Sequence, residues 1–263
     1  MPQEEKKVVH PVAIFKESWG LCLKNFKRLA GIYSIIYLPV LAIGLIQIPF
    51  LKTAKPNPVF LLLGLICIPI SSWGYLALML FVNKATAGEV GGIGESVRGA
   101  GKYFWPYLGA TLLNLLFMIG LWATGGILTS IAAALLWKTN KILAILIVVV
   151  VGIACVAVTV YFMIRWLIYG ALCVTESAGP ITALKRSLYL VKGYVNPVIG
   201  AHCLIILVYI AGWIPAMVLG AIGGKISYPV GAIYNTVINI VVLPLCATIS
   251  VVLYRKLKEA VEG

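Results

Sequence analysis

The sequence predicts an all-α, polytopic membrane protein with six transmembrane helices. Three observations carry this. Apolar residues make up 62% of the 263 residues and charged residues only 11%, where an average soluble domain has about 45–50% and about 25%. Mostly apolar stretches that exceed the ~20 residues needed to cross a bilayer occur six times. Basic residues gather at alternate ends of those stretches.

The chain opens with residues 1–28, which carry Lys6, Lys7, Lys16, Lys24, Lys27 and Arg28 ahead of any long apolar run. A cleavable signal would set a short apolar region nearer Met1 and close it with small residues. The N-terminus therefore reads as mature and cytoplasmic. Within it, Val12, Phe15, Trp19, Cys22 and Phe26 step by 3, 4, 3 and 4, the spacing of one apolar stripe on a helix. Six spans follow, at residues 29–51, 59–82, 105–137, 142–174, 196–222 and 227–254. The third and fourth are over-long. At 1.5 Å per residue, 33 residues reach roughly 50 Å against a hydrocarbon core of roughly 30 Å. They are expected to tilt, to bend (the third at Gly125-Gly126) or to rise above the outer surface around the polar turn Lys138-Thr139-Asn140-Lys141.

Segments 1–28, 83–104, 175–195 and 255–263 carry 15 Lys and Arg, while the opposite loops carry five, namely Lys52, Lys55, Lys138, Lys141 and Lys225. All eight Glu accompany the larger group. The positive-inside rule then places both termini in the cytoplasm, and a multi-pass protein in the cytoplasmic (inner) membrane.

The N-terminal stripe recurs. Adding 169 to its positions gives Ile181, Leu184, Leu188, Val191 and Val195; adding 78 gives Val90, Ile93, Val97, Ala100 and Phe104. The same offsets align Ser18 with Ser96 and Ser187, and Gly31 with Gly109 and Gly200. Pro106 falls opposite Pro197, each just inside a span, where a missing N–H does no harm. The expectation is three copies of one unit, an interfacial amphipathic helix followed by a transmembrane hairpin. They fall at about 11–88, 89–176 and 177–258 within one integral membrane domain, 1–263. The middle amphipathic helix should be the weakest, because Gly91, Gly92, Gly94, Gly99 and Gly101 disfavour helix. All three are too polar to span, since a charge at the bilayer centre costs ~2.5–3.5 kcal/mol on insertion scales. They are expected in the inner interface, with Lys16, Lys24, Lys102, Lys185, Arg186 and Lys192 toward lipid headgroups.

The formal charge of +13 fits membrane phospholipid as the partner better than nucleic acid, because the basic residues form no long block. Protein partners are not readable. The chain has no Asp. That removes an intramembrane aspartyl dyad and the usual metal ligands of Mg²⁺-dependent phosphoryl transfer. The six cysteines stand singly in apolar stretches, no CxxC occurs and there are two histidines, so no metal site, cofactor or disulfide framework is expected. Gly94-Glu95-Ser96-Val97-Arg98 departs from the nucleophile elbow at its last position, and Gly223-Gly224-Lys225-Ile226 departs from the phosphate loop at Ile226. No catalytic set emerges; a Ser250–His202 dyad has no supporting residues.

The candidate polar intramembrane site comprises Arg165, His202, Asn114, Asn235, Asn239 and Glu176. Arg165 is the one charge inside an apolar run, and two readings stand open. It snorkels to the inner interface beside Trp166 and Tyr169, or it is buried with Glu176 or a lipid phosphate as partner. His202 lies about two turns into the fifth span. Asn235 and Asn239 share a face of the sixth, where Asn114 could meet them. Convergence of these groups on one cavity would suit a small transporter or channel; interhelical hydrogen bonds that hold the bundle are the alternative. Ala216, Gly220 and Gly224 read as a close-approach face, and Pro39, Pro69, Pro215 and Pro244 lie within spans.

From Glu176 to Gly193 the chain has a Glu ending a span, a Gly-Pro turn, Ala-Leu-Lys-Arg-Ser, then Lys-Gly, before Tyr-Val-Asn-Pro opens the next span. With the closing Leu253-Tyr254-Arg255-Lys256-Leu257-Lys258, this resembles a prokaryotic six-span membrane protein family related to the membrane domain of glycerophosphodiester phosphodiesterases. In those fusions the chemistry resides in a separate soluble barrel, whose His/Glu/Asp metal set has no counterpart here. The resemblance implies an integral scaffold that handles lipid or a lipid-derived headgroup. The sequence therefore favours a non-catalytic membrane protein that engages lipid or organises envelope partners, with a small transporter or channel as second reading and an intramembrane enzyme as third.

Overall fold

The computed structural model describes residues 9–47, 58–89, 91–137, 139–223 and 227–263, with side chains described except at 44–47, 58–61, 216–223, 227–233 and 235. These residues form ten helices and no strand: α1 (Pro11–Lys24), α2 (Phe26–Gln47), α3 (Pro58–Thr86), α4 (Ile93–Gly99), α5 (Gly101–Leu136), α6 (Lys141–Arg165), α7 (Tyr169–Thr175), α8 (Pro180–Val191), α9 (Val195–Gly223) and α10 (Ser227–Glu262). Six segments are long and apolar enough to cross a membrane: α2, α3, α5, α6 with α7, α9 and α10. The chain is an integral, multi-pass membrane protein. Every main-chain group inside hydrocarbon needs a partner within the protein, and continuous helices supply it.

The over-long third and fourth spans resolve differently. α5 runs unbroken through Gly125-Gly126, so the bend expected there does not interrupt it. Gly125 serves packing instead, since a Cβ at that position would lie 2.5 Å from Cys155 Sγ on α6. The fourth span breaks at 166–168, and α7 resumes at Tyr169. Between α5 and α6, the Asn140 carboxamide caps α6 by accepting from the Leu143 N–H at 3.0 Å. The far ends of both helices are largely exposed, with Leu135 70% and Ile142 81% accessible, although Ala144 is buried.

The interior lies along α3, α7 and α10, which touch one another. Leu76 to Val82 of α3, Ala171 to Val174 of α7, and Leu245, Ile249 and Val251 to Tyr254 of α10 fill it. α2, α5 and α9 pack outside these three. Each short helix lies on a hairpin. α4 packs on α2 and α3, α8 on α5 and α7, and α1 on α9 and α10. Three glycines admit them. A Cβ on Gly31 would sit 2.8 Å from Ile93 Cδ1, one on Gly109 2.8 Å from Pro180 Cγ, and one on Gly200 2.8 Å from Pro11 Cβ. The contact of α1 with α10 also brings the two described ends of the chain to one face, where Lys256 reaches Glu17 at 3.5 Å.

The buried line of each short helix differs from the apolar stripe read from sequence. On α1 it is Ile14, Ser18 and Cys22, while Val12 and Phe26 are exposed; on α8 it includes Ala183, Leu184, Ser187, Leu190 and Val191, while Ile181 is exposed. Ser18, Ser96 and Ser187 are each fully buried. A hydroxyl is small enough for close helix contact, so serine faces protein and the bulkier stripe residues shift to the rim. α4 is cut to Ile93–Gly99, with Gly91 and Gly92 outside it, as its glycine content requires. All six cysteines are free thiols. Cys22 is among the buried ones, and burial pushes its thiol pKa up to about 11, but Cys203 is exposed.

The Pro11 ring cannot rotate away from Gly200, whereas the Ile93 tip can move from Gly31. In a variant whose only cysteine is Cys22, Gly200→Leu should displace α1. Maleimide labelling of Cys22 should rise at least tenfold and thermal stability should fall, with Gly31→Leu giving the smaller change. Unaltered labelling in Gly200→Leu would show that α1 does not depend on this contact.

Candidate functional site

Two polar assemblies stand out. The first ties the end of α7 to α8 and the end of α10. Glu176 Oε1 accepts from the Tyr254 hydroxyl at 2.7 Å and from Lys258 Nζ at 3.0 Å, and Glu176 Oε2 lies 3.6 Å from Arg186 Nε. Arg186 also pairs with Glu262. Burial opposes charge on Glu176. The bonds from Tyr254 and Lys258 and the charges of Lys258 and Arg186 outweigh it and hold the carboxyl below the ordinary Glu range. Burial likewise opposes charge on Arg186, but Glu176 and Glu262 raise its pKa. Nearby, Arg255 donates to the backbone and side-chain oxygens of Asn83, each at 3.1 Å, which joins α10 to the end of α3.

Two further carboxylates on this face are engaged, and Glu89 and Glu259 make no ion pair among the described residues. Glu95 pairs with Lys84 and accepts from the Gly92 N–H, and that lysine with the Gly92 bond lowers its pKa. Glu17 pairs with Lys256. Lys16, Lys24, Lys27, Arg28, Arg98, Lys185 and Lys192 are exposed and make no ion pair among the described residues, and Lys102 lies only over the Tyr103 ring. Arg186 is the exception among the residues expected to reach headgroups, because its two carboxylate partners hold it at the protein surface.

The second assembly is a cavity of about 230 Å³ between α3, α5, α6 and α7. It is lined by Tyr75, Met79, Tyr107, Asn114, Met163, Trp166, Leu167, Tyr169 and Gly170. The rings of Tyr107 and Tyr169 stack with centroids 5.5 Å apart. The Tyr169 hydroxyl is 3.0 Å from the Thr111 hydroxyl, and the Tyr75 hydroxyl is 3.4 Å from Ser250 Oγ. Two further polar atoms of lining residues, Asn114 Oδ1 and Trp166 Nε1, are buried with no hydrogen-bond partner. An orphaned polar atom costs about 1–3 kcal/mol.

Among the described residues, Asn114 alone of the expected polar set lines the cavity. Arg165 does not pair with Glu176, whose partners are Tyr254, Lys258 and Arg186. Arg165 instead stacks on Tyr161 with its guanidinium carbon 4.6 Å from the ring, and its Nε is buried without a partner. Its backbone carbonyl accepts from Ser187 of α8 at 2.6 Å. The His202 ring bonds its own helix, Nδ1 to the Val198 carbonyl at 2.9 Å. Ser250 serves Tyr75 and the Cys246 carbonyl, so no dyad with His202 forms. Gly212 packs on Ile238, which sets Asn239 ten residues along from His202, about 15 Å at 1.5 Å per residue. The side chains of Asn235, Ala216 and Gly220, and all of Gly224, lie outside the described residues. No group of three or more His, Cys or Glu able to hold a metal ion occurs among the described residues.

Sequence reading named Trp166 and Tyr169 only as interfacial neighbours of Arg165 and did not single out Tyr75, Tyr107 or Thr111. Tyr75, Tyr107 and Tyr169 are remote in sequence, and a tyrosine near a span end is indistinguishable from an interfacial anchor. The available signal was three tyrosines lying deeper than the flanking charges. Searches against family models, characterised proteins and solved structures find no match for this chain.

Because the Glu176 carboxyl titrates below its unfolded value of about 4.3, it contributes stability that is present above that value. The contribution is lost as pH falls through the lower folded value. Thermal unfolding in detergent between pH 6 and pH 3 should show wild type losing stability more steeply than Glu176→Gln. At pH 6 the variant should be less stable by ~1–3 kcal/mol. Parallel curves would mean that the ion pairs contribute nothing.

Proposed function

We propose that this chain is a non-catalytic protein of the cytoplasmic membrane whose inner face engages anionic phospholipid. The observation that carries the reading is the imbalance on the face where the chain ends meet. Four of its described acids, Glu17, Glu95, Glu176 and Glu262, are drawn into pairs within the protein, while Lys16, Lys24, Lys102, Lys185 and Lys192 stay exposed beside span ends. Each such cation is worth about 1 kcal/mol near an anionic surface. The exposed apolar residues Val12, Leu23 and Ile181 on the same short helices suit an interfacial position.

The proposed architecture is three units about a pseudo-threefold axis, with both termini cytoplasmic. Three alignments support it. The serines matched by sequence offset are all buried, the glycines matched by the same offsets all receive a short helix, and the interior is built from α3, α7 and α10, each part of the second limb of a hairpin. The order is cyclic, since the short helix of each unit packs on the hairpin of the unit before it and α1 returns to the last.

In nanodiscs of mixed phosphatidylglycerol and phosphatidylcholine, the anionic lipid should be enriched among molecules released with the protein in native mass spectrometry. Replacing Lys24, Lys102 and Lys185 by Gln removes about 3 kcal/mol, roughly a hundredfold in affinity, and high salt should mimic it. Equal retention of both lipids by wild type, or no effect of the triple variant, would exclude this function.

A further inference from the structure

We infer that the groove between α2 and α3 seats one anionic phospholipid, with an acyl chain in the groove and its phosphate at Arg98 and Lys102. This rests on the proposed engagement of anionic lipid and deepens it, by naming where a single molecule is held. α2 and α3 meet closely at Gly74, where an added Cβ would lie 2.6 Å from Ile36 Cγ2, and the Tyr37 hydroxyl donates to the Ser71 carbonyl at 3.0 Å. The two helices run in opposite directions here, so Pro39 and Pro69 lie on the same side of this contact. Neither has an N–H to donate to its preceding turn. There a groove of about 430 Å³ opens, lined by Ile35, Ile36 and Pro39 of α2, Pro69, Ile70 and Trp73 of α3, and Phe104 of α5. Every lining residue is apolar, and Ile35 is 57% exposed. Between two spans, such a surface suits hydrocarbon and offers nothing to a polar ligand.

The aromatic wall is fixed by the protein. Trp73 Nε1 donates to the Val97 carbonyl at 2.8 Å, its ring lies 5.5 Å from that of Phe104, and a Cβ on Gly101 would sit 3.2 Å from Trp73 Cη2. Gly101 and Phe104 thus turn toward Trp73. The backbone stays helical through Ala100, at φ −58° and ψ −28°. Lys102 and Trp105 are therefore the next positions round, about 100° away, with Arg98 one turn before Lys102. All three are exposed. Lys102 Nζ lies 5.5 Å from the Tyr103 ring, and neither it nor Arg98 makes an ion pair among the described residues. The one carboxylate of α4, Glu95, is taken by Lys84. Arginine offers a phosphate a planar fork and lysine a point charge. A cationic stripe beside an apolar groove matches an amphiphile that is anionic at one end. Free phosphate would have no use for the groove, and a neutral lipid none for the cations.

The test uses the full chain in phosphatidylcholine nanodiscs containing a trace of phosphatidylglycerol with a diazirine on one acyl chain. Light fixes the probe where it lies, and mass spectrometry of peptides maps it. Labelling should concentrate on residues 35–39 and 69–73 and saturate at one probe per chain. Unlabelled phosphatidylglycerol should displace it at least tenfold better than added phosphatidylcholine. Ile35→Trp, which fills the groove, should reduce this labelling at least fivefold while keeping the overall phosphatidylglycerol enrichment of wild type, which an unfolded variant would not. Arg98→Gln with Lys102→Gln should keep the labelled positions and erase the headgroup preference. Labelling spread along α5 and α6 in proportion to their exposure, equal displacement by both lipids, or labelling unchanged in Ile35→Trp would overturn the assignment. Overall enrichment without labelling of the groove would sink this seat and leave the broader reading standing. Groove labelling with the headgroup preference, but without overall enrichment, would do the reverse.

Discussion

Helices in hydrocarbon gain little by hiding apolar surface from lipid, since lipid tails are as apolar as leucine. They associate where small residues let backbones come close and where polar side chains find each other. The seats of the short helices obey that constraint. The short helices seat on Gly31, Gly109 and Gly200, each presenting a buried serine to the protein. The interior runs along α3, α7 and α10 because short helices, ion pairs and hairpin partners all converge on their ends. The outer reaches of α5 and α6 touch little but each other, and nothing in an apolar solvent drives them inward.

The face holding both described chain ends carries most of the polar adhesion. α10 continues to Glu262 as a 36-residue helix, roughly 54 Å long, so its last turns stand clear of a core of roughly 30 Å. There Tyr254, Arg255, Lys256 and Lys258 reach α7, α3 and α1 in turn. One helix end thus gathers the ends of α3 and α7 and the middle of α1. Each exposed pair is weak by itself. Glu176, which is largely shielded and holds a tyrosine, a lysine and an arginine together, is the strongest member.

The spans were legible because the need for about 20 apolar residues leaves a signal within one segment. The serine and glycine offsets were legible for a similar reason, since close packing restricts residue size at fixed positions. The partners of polar groups were not. Glu176 was paired with Arg165 by proximity in sequence, but its bonds go to Tyr254 and Lys258, 78 and 82 residues away. The bend was sought at Gly125-Gly126, where glycine instead makes room for Cys155; the actual break at 166–168 has neither glycine nor proline. His202 and the asparagines looked like one group because each interrupts an apolar run. Yet a helix satisfies a lone polar group from its own preceding turn, as Val198 does for His202. Tyr75 and Tyr107 did not register because tyrosine is at home in either environment.

The break after α6 explains how a guanidinium and an indole can be neighbours in an apolar run. Arg165 ends α6, where the helix dipole favours a cation, and it leans on the exposed ring of Tyr161. Trp166, the next residue, turns inward against Phe117 and Phe162 and is 7% accessible. An uninterrupted helix would carry the two only about 100° apart. The non-helical turn at 166–168, held by Ser187 on the Arg165 carbonyl, lets the charge stay at the rim while the indole reaches the cavity. The cost is two buried nitrogens without protein partners, Arg165 Nε and Trp166 Nε1. A bundle built for stability alone would place leucine at both positions and avoid that cost. The break therefore lets Arg165 and Trp166 face different surroundings within one apolar run.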